Sequence, residues 1–203
     1  MTEPLDSAPD EALVARIGAR DARAFEILMS RYRRSVFNFI LRSVRDRELA
    51  AELHQEVFLR VAQRAAEFQG EAKVSTWIFT IARNLCIDTS RKMAFRRHRS
   101  LDETSGEDAD GPSLVERTAG AGAGVERQAI GSELRRRLLE AIDALPPEQR
   151  EVFLMREVHD MPFRDIAAVV GAPENTVKSR MRYALERLQR ALTEYEDYVP
   201  ERT

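Results

Sequence analysis

Residues that cross-link, turn or anchor a chain are scarce in this sequence. Cys86 is the single cysteine, so no internal disulfide can form, and its apolar neighbours predict a buried, reduced thiol. Only 9 Gly and 8 Pro interrupt the 203 residues. No apolar run approaches the roughly 18 to 20 residues of a membrane span, and the acidic start, MTEPLDSAPDEALVARI, lacks the apolar core of an export signal. These absences predict a cytoplasmic protein that inserts into no membrane.

Patterns that build catalytic or metal sites are also missing. The three histidines, His54, His98 and His159, are far apart in sequence, and neither a His-Glu-x-x-His motif nor a glycine-rich phosphate loop occurs. Cys86 has no nearby partner for nucleophilic catalysis. We therefore expect no enzymatic activity, no cofactor and no metal ion.

Charge is abundant but unevenly distributed. The composition, 43% hydrophobic and 33% charged, is that of a folded globular protein, and the net charge is -2. Residues 1–99 hold 18 Lys/Arg and 13 Asp/Glu, residues 100–131 hold 2 and 7, and residues 132–203 hold 12 and 14. The acidic segment is rich in Gly, Ala and Ser and poor in large apolar residues, which predicts a flexible linker between two small domains.

Helical periodicity fills the chain on both sides of this linker. Apolar residues recur at intervals of three and four within 13–61 and 134–145, and no useful β-alternation occurs. Asp10, Asp21 and Asp46 stand where helix N-caps are expected. We predict an all-α protein of two helical domains, the second a four-helix domain.

The clearest motif, MPFRDIAAVVGAPENTVKSRM, lies in the second domain. Pro162 suits a first helical turn, Gly171 a left-handed helix exit and Pro173 the start of another helix, which together predict a helix-turn-helix. The second helix of this motif enters the DNA major groove, where its early outward side chains reach base edges. The residues expected to read DNA are Asn175, Thr176, Lys178, Ser179, Arg182 and Tyr183. A merely solvated charged face is the competing interpretation.

The remaining faces of this helix have other expected roles. At about 100° per residue, one arc is apolar and should pack in the core. Its members are Val177, Met181, Ala184, Leu185, Leu188 and Leu192. Arg187 and Arg190, further along, are candidates for phosphate contacts.

Three stretches follow one another in a characteristic order. They are ELHQEVFLRV (52–61), STWIFTIARNLCIDTSRK (75–92) and ALPPEQREVFLMREVHDMPFRDIAAVVGAPENTVKSRM (144–181). In this order they resemble the bacterial extracytoplasmic-function sigma factors, the minimal two-domain group of the RNA polymerase sigma family. The first is similar to the segment that docks on the clamp coiled coil of the polymerase largest subunit, the second to the helix that melts and reads the −10 element, and the third to the −35-reading domain. The resemblance covers residues 10–98 and 132–192.

The resemblance implies a role for each part of the chain. Residues 1–99 would dock on core polymerase and melt the −10 element, and residues 132–203 would read the −35 element. The implied docking residues are Glu52, Leu53, Gln55, Glu56 and Phe58. Glu52 stands where the family usually has Asp, and His54 replaces an aliphatic residue.

The −10 site combines the resemblance with side-chain chemistry. The 68–73 loop is expected to hold a flipped base, and a helix carrying amides, a carboxylate and cations can bond bases and hold phosphates. The residues assigned to −10 reading and melting are Gln69, Lys73, Thr80, Asn84, Asp88, Arg91 and Lys92. Arg96, Arg97 and Arg99 suit duplex phosphates. For Trp77, a place in the core is favoured over a base platform.

The implied function is that of an alternative sigma factor for promoter-specific initiation. Its expected partners are core RNA polymerase, at the clamp coiled coil and the flap region, promoter DNA and an anti-sigma factor, and the free chain is expected to be a monomer. The acidic linker would pass through polymerase channels built for nucleic acid. Two alternatives stay open: a helix-turn-helix regulator without core docking, and a sigma-like decoy that binds an anti-sigma factor.

Overall fold

The computed structural model describes the backbone of residues 5–101 and 125–193 and the side chains of residues 5–94 and 133–193, and every regular element in these ranges is helical. The α-helices are α1 (Asp10–Gly18), α2 (Ala22–Val44), α3 (Arg47–Arg64), α4 (Val74–Leu101), α5 (Val125–Ala144), α6 (Pro147–Phe153), α7 (Phe163–Val170) and α8 (Glu174–Leu192). Short 3-10 turns at Leu5–Ser7 and Ala65–Glu67 and a π-helical segment at Leu154–Val158 complete the set. The all-α prediction is confirmed. None of the described helices is both long and apolar enough to cross a membrane.

Two helices of the first domain (α1–α4) begin at aspartate caps. The carboxylate of Asp21 accepts bonds of 3.0 and 3.2 Å from the first backbone N–H groups of α2, and Asp46 accepts one of 3.0 Å in α3. Both predicted caps are confirmed. The prediction for Asp10 is wrong, because Pro9 is the N-cap of α1 and Asp10 is its first helical residue. Its carboxylate instead binds the guanidinium of Arg31 at 2.6 Å, which joins α1 to α2.

The core of the first domain is built around two phenylalanines. Phe39 of α2 meets Phe79 of α4 edge to face, with ring centroids 5.4 Å apart, and both are buried. Cys86 lies in the same core at 6% exposure, and burial raises the pKa of its thiol to about 12. The prediction that Cys86 is a buried free thiol is confirmed, and its raised pKa makes it a poor nucleophile.

The second domain consists of α5–α8. Pro146 and Pro147 end α5 and begin α6, and the buried guanidinium of Arg150 donates to the Asp143 carbonyl at 2.9 Å, which fixes this corner. Helix α5 begins at Val125, so residues 125–131, expected to belong to the linker, are helical. Residues 102–124 of that linker lie outside the described range. The two domains touch where α4 packs against α7 and α2 against α6.

The buried side of α8 is narrower than its sequence predicts. Val177, Met181, Ala184 and Leu188 are at most 5% exposed, in steps of four, three and four residues. Leu185, expected in the same arc, is 47% exposed. That expectation is wrong because Leu185 lies about 100° beyond Ala184 around the helix, past the edge that the neighbouring helices cover.

This difference yields a paired prediction of stability. Met181→Ala should lower the free energy of unfolding by about 2 to 5 kcal/mol, because it leaves a cavity in the second core. Leu185→Ala should change it by no more than about 0.5 kcal/mol, because much of that side chain already meets water. Urea unfolding followed by circular dichroism measures both. Equal losses for the two variants would contradict the burial pattern of α8.

Candidate DNA and polymerase interfaces

The turn of the helix-turn-helix is three residues long. Gly171 ends α7 in the left-handed conformation, with φ 67° and ψ 38°, and its N–H donates to the Ala167 carbonyl at 2.9 Å. Pro173 then precedes α8 as its N-cap residue, without a side-chain cap bond. The predicted left-handed exit at Gly171 is confirmed, and a side chain there would be strained by the positive φ.

The outward face of α8 brings together all the residues predicted to read DNA. Each of them is exposed, while the buried residues on the opposite side of α8 pack against the core of the second domain. The exposed set is Asn175, Thr176, Lys178, Ser179, Arg182 and Tyr183. Arg180, beside this face, donates to Glu148 of α6 at 2.6 Å and so fixes the rotation of the helix.

Several of these side chains already have partners on their own helix. The Lys178 ammonium lies 2.6 Å from the Glu174 carboxylate, and the Ser179 hydroxyl donates to the Asn175 carbonyl at 2.9 Å. The Arg182 guanidinium lies over the Tyr183 ring, 4.9 Å from its centroid. Phosphates or base edges would have to replace Glu174 around Lys178.

A surface groove continues from this face toward the end of α8. Its volume is about 430 Å³, and its lining residues are Gln149, Tyr183, Glu186, Arg187 and Arg190. The two arginines predicted to contact phosphates thus share one concave surface with Tyr183. Arginine and tyrosine side chains are among those that contact DNA phosphates, while Glu186 adds a negative charge to the same groove.

Helix α4 displays a second polar face, in the first domain. Thr80, Asn84 and Asp88 recur every four residues on it, and only Thr80 is half-buried, with its hydroxyl donating to the Thr76 carbonyl at 2.7 Å. Arg91 and Lys92 continue the face and are exposed. The side chains of Arg96, Arg97 and Arg99 lie outside the described residues, although α4 continues through them to Leu101.

The loop before α4 carries the other predicted −10 residues. Gln69 and Lys73 are exposed, and Gly70 between them has a φ of 73°, which only glycine adopts at low cost. Trp77 is half-buried beside the Phe68 ring, with centroids 5.0 Å apart, so it is neither fully in the core nor a free platform.

The outer face of α3 carries most of the predicted docking residues. Glu52 and Gln55 are exposed, and Glu56 is half-buried, with its carboxylate accepting from Arg60 at 2.7 Å. Leu53 and Phe58 are 8% and 3% exposed. Both side chains therefore point into the core and support the face from below, and their assignment to docking stays a prediction.

Sequence reasoning left one member of this face out of the docking set. Leu59 is 52% exposed and lies seven residues from Glu52, two helical turns along the same side. Helical spacing places Leu59 outward, but the docking set implied by the resemblance did not include it. Beneath the face, His54 lies between Phe37 and Phe58, with Nε2 3.0 Å from the Arg33 carbonyl oxygen, and burial lowers its pKa.

The helix-turn-helix formed by α7 and α8 is typical of DNA-binding proteins. Residues 28–99 match the family model described as Sigma-70 region 2, and residues 135–188 match that described as Sigma-70, region 4. The chain belongs to the sigma-70 family, as an extracytoplasmic-function (ECF) sigma factor. Proteins of this family are not enzymes; they direct RNA polymerase to initiate at particular promoters.

Similar proteins span nearly the whole chain. The RNA polymerase sigma-H factor of Pseudomonas aeruginosa is 29% identical over 193 residues, 93% of this chain and 96% of the relative. The ECF RNA polymerase sigma factor BldN of Streptomyces coelicolor is 32% identical over 188 residues, 92% of this chain and 67% of the relative. A solved structure, the sigma factor RpoE in complex with the anti-sigma factor NepR from Bartonella quintana, shares the fold, with a TM-score of 0.66 at 22% identity over 85% of this chain and 98% of that chain.

Proposed function

We propose that the work of initiation is divided between the two domains of this sigma factor. Residues 1–99 dock on core polymerase and melt the −10 element, residues 132–203 read the −35 element, and 100–131 connect them. The observation that carries this division is the pair of exposed polar faces, on α4 and α8, each backed by its own buried stripe.

The docking patch consists of Glu52, Gln55, Glu56 and Leu59. It combines carboxylates, an amide and one exposed apolar side chain on a single face of α3. A basic partner helix, such as the polymerase clamp coiled coil, complements this chemistry, because opposite charges speed association and orient the partner.

Reversal of one charge tests the docking patch. Glu56→Arg should weaken binding to core polymerase at least tenfold, because a like charge would then face the basic partner. Glu67→Arg makes the same change on an exposed residue outside the patch and should bind as the wild type does. A core-binding titration, with circular dichroism to verify folding, compares the two. Wild-type affinity for Glu56→Arg would disprove the assignment.

The −10 face consists of Thr80, Asn84, Asp88, Arg91 and Lys92, with Gln69 and Lys73 in the preceding loop. Amide and carboxylate groups can bond the edges of unpaired bases, and the flanking cations can hold phosphates. Arg96, Arg97 and Arg99, later in the same helix, are proposed to contact duplex phosphates.

An assay of promoter melting tests the proposed role of the −10 face. Asn84→Ala should reduce open-complex formation more than closed-complex binding, because its amide is proposed to hold a base that leaves the stack. Ser90→Ala, an exposed change on another side of α4, serves as the control. Permanganate reactivity of promoter thymines in the holoenzyme complex reports melting. Footprints that match wild type for Asn84→Ala would rule out this role.

The −35 face is proposed to read bases with Asn175, Thr176, Lys178, Ser179, Arg182 and Tyr183. Lysine and arginine match guanine acceptors, and asparagine matches adenine. Arg187 and Arg190, in the groove behind, are proposed to hold phosphates.

Base readers and phosphate holders should differ in their salt dependence. Arg182→Ala should cost about 1 to 3 kcal/mol on a −35 duplex selected by the wild-type chain and little on scrambled DNA. Arg187→Ala should weaken both duplexes alike and lower the log-log salt slope by about 0.9. Fluorescence anisotropy at several salt concentrations separates the two. Equal losses of affinity for Arg182→Ala on both duplexes would mean that α8 binds DNA without distinguishing its sequence.

The remaining partners follow from this role. Core polymerase would contact the second domain through its flap region, and the chain would act in the cytoplasm, where polymerase and promoter DNA are found. The RpoE structure from Bartonella quintana contains an anti-sigma factor. By that similarity we include an anti-sigma factor among the partners, and a monomer as the free form.

A further inference from the structure

The groove near the end of α8 carries positive charge that its own surroundings leave unpaired. Arg187 and Arg190 are both exposed, and neither guanidinium has an ion-pair partner among the residues that the structure describes. The carboxylate in the groove wall, Glu186, lies 3.8 Å from the guanidinium of Arg182. The groove therefore offers two cations to an anionic ligand.

Gln149 of α6 adds an unpaired polar group to the same wall. Its side-chain oxygen is buried and has no hydrogen-bond partner within the described ranges. A buried polar atom without a partner calls for an explanation, and a ligand is one. A side-chain amide both donates and accepts, so it can pair with the backbone N–H or C=O of an extended peptide. Tyr183, 46% exposed, places an aromatic ring beside it.

The chain carries a complementary segment directly after α8. The ten residues EYEDYVPERT, at 194–203, lie outside the described range. They hold four carboxylates and one guanidinium, which belong to Glu194, Glu196, Asp197, Glu201 and Arg202. Carboxylates and phosphates both form strong charge-assisted hydrogen bonds with arginine. The 194–203 segment thus carries the charge that the groove lacks.

The 194–203 segment is long enough to reach every part of the groove. From Leu192, where α8 ends, back to Tyr183 is roughly 14 Å at about 1.5 Å of rise per residue. Ten extended residues span roughly 33 Å, so the segment can turn after α8 and run back along the groove with length to spare. A short tether also keeps the local concentration near the millimolar range, so that even weak pairing is populated.

We propose that the 194–203 segment docks in the groove, with its carboxylates bound to Arg187 and Arg190, and there takes the place of DNA phosphates. Duplex DNA then has to displace the segment before these two guanidiniums can hold its backbone. Only this competition rests on the proposed function of the two arginines; the docking itself is a property of the chain alone. Binding of nonspecific duplex, which depends on phosphate contacts, is weakened by such competition.

Paramagnetic broadening in the full chain, without polymerase or DNA, tests the docking. Val199→Cys provides an attachment point for a nitroxide within the segment. Cys86 stays unlabelled, because it is 6% exposed and burial raises the pKa of its thiol to about 12. The side-chain amide signals of Gln149 should lose intensity, compared with the same sample after the nitroxide is reduced. Unchanged Gln149 signals would overturn the proposal.

Charge variants of the labelled chain separate docking from mere proximity through the tether. The broadening should fall when the segment is neutralised by Glu194→Gln, Glu196→Gln, Asp197→Asn and Glu201→Gln together. It should fall equally when the groove is neutralised by Arg187→Gln with Arg190→Gln. Arg164→Gln removes an exposed arginine of α7 and is the matched control, which should keep the wild-type broadening. Circular dichroism verifies that each variant is folded, and equal broadening in all variants would refute the docking.

Two further samples identify the occupant and the competitor. A mixture of isotope-labelled chain without nitroxide and unlabelled chain with nitroxide should show no broadening at Gln149. Broadening in that mixture would place the segment of a second copy in the groove and overturn the intramolecular proposal. Added scrambled duplex DNA should restore the Gln149 signals of the wild-type chain. Broadening that persists with DNA bound would contradict the competition and the phosphate role of the two arginines, whereas the charge variants decide the docking itself.

Discussion

Helix α4 contributes residues to three different surfaces of the protein. Ile78, Ala82 and Leu85 are buried in the first domain, Asn84 and Asp88 face solvent, and Arg83 reaches across to the second domain. The buried residues, the exposed polar residues and Arg83 thus occupy different sides of the same helix. One rigid helix therefore carries an exposed polar face, part of the first core and a contact with the second domain.

Local chemistry explains what the sequence could predict. Asp21, Asp46 and Gly171 were identifiable because a cap or a left-handed exit depends on the residues immediately around it. Contacts between segments that are distant in the sequence could not be identified in this way. Leu185 was assigned to the core because helical spacing gives relative angles but not which angle a neighbouring helix covers. The Arg83–Glu151 pair joins residues that are 68 positions apart in the sequence, and no local sequence pattern predicts it.

A carboxylate pairs with a lysine at each of the two surfaces proposed to face DNA. The Lys178 ammonium lies 2.6 Å from Glu174 on α8, and the Lys73 ammonium, before α4, lies 3.1 Å from Asp165 of the second domain. The first pair is exposed and worth little in stability, so a DNA phosphate could replace Glu174 at low cost. Asp165 is 7% exposed, so the loss of Lys73 would remove a cation from a buried carboxylate and cost more.

The central claim is that this chain gives core RNA polymerase its promoter specificity. Reconstituted transcription tests it most directly: core polymerase with and without the purified chain, on pooled genomic fragments, with the transcript 5′ ends mapped. The account predicts chain-dependent start sites that share a −10 and a −35 sequence at fixed spacing, and loss of those transcripts with Glu56→Arg. Absence of any chain-dependent start site, with the same core active on the same pool alongside another sigma factor, would contradict it.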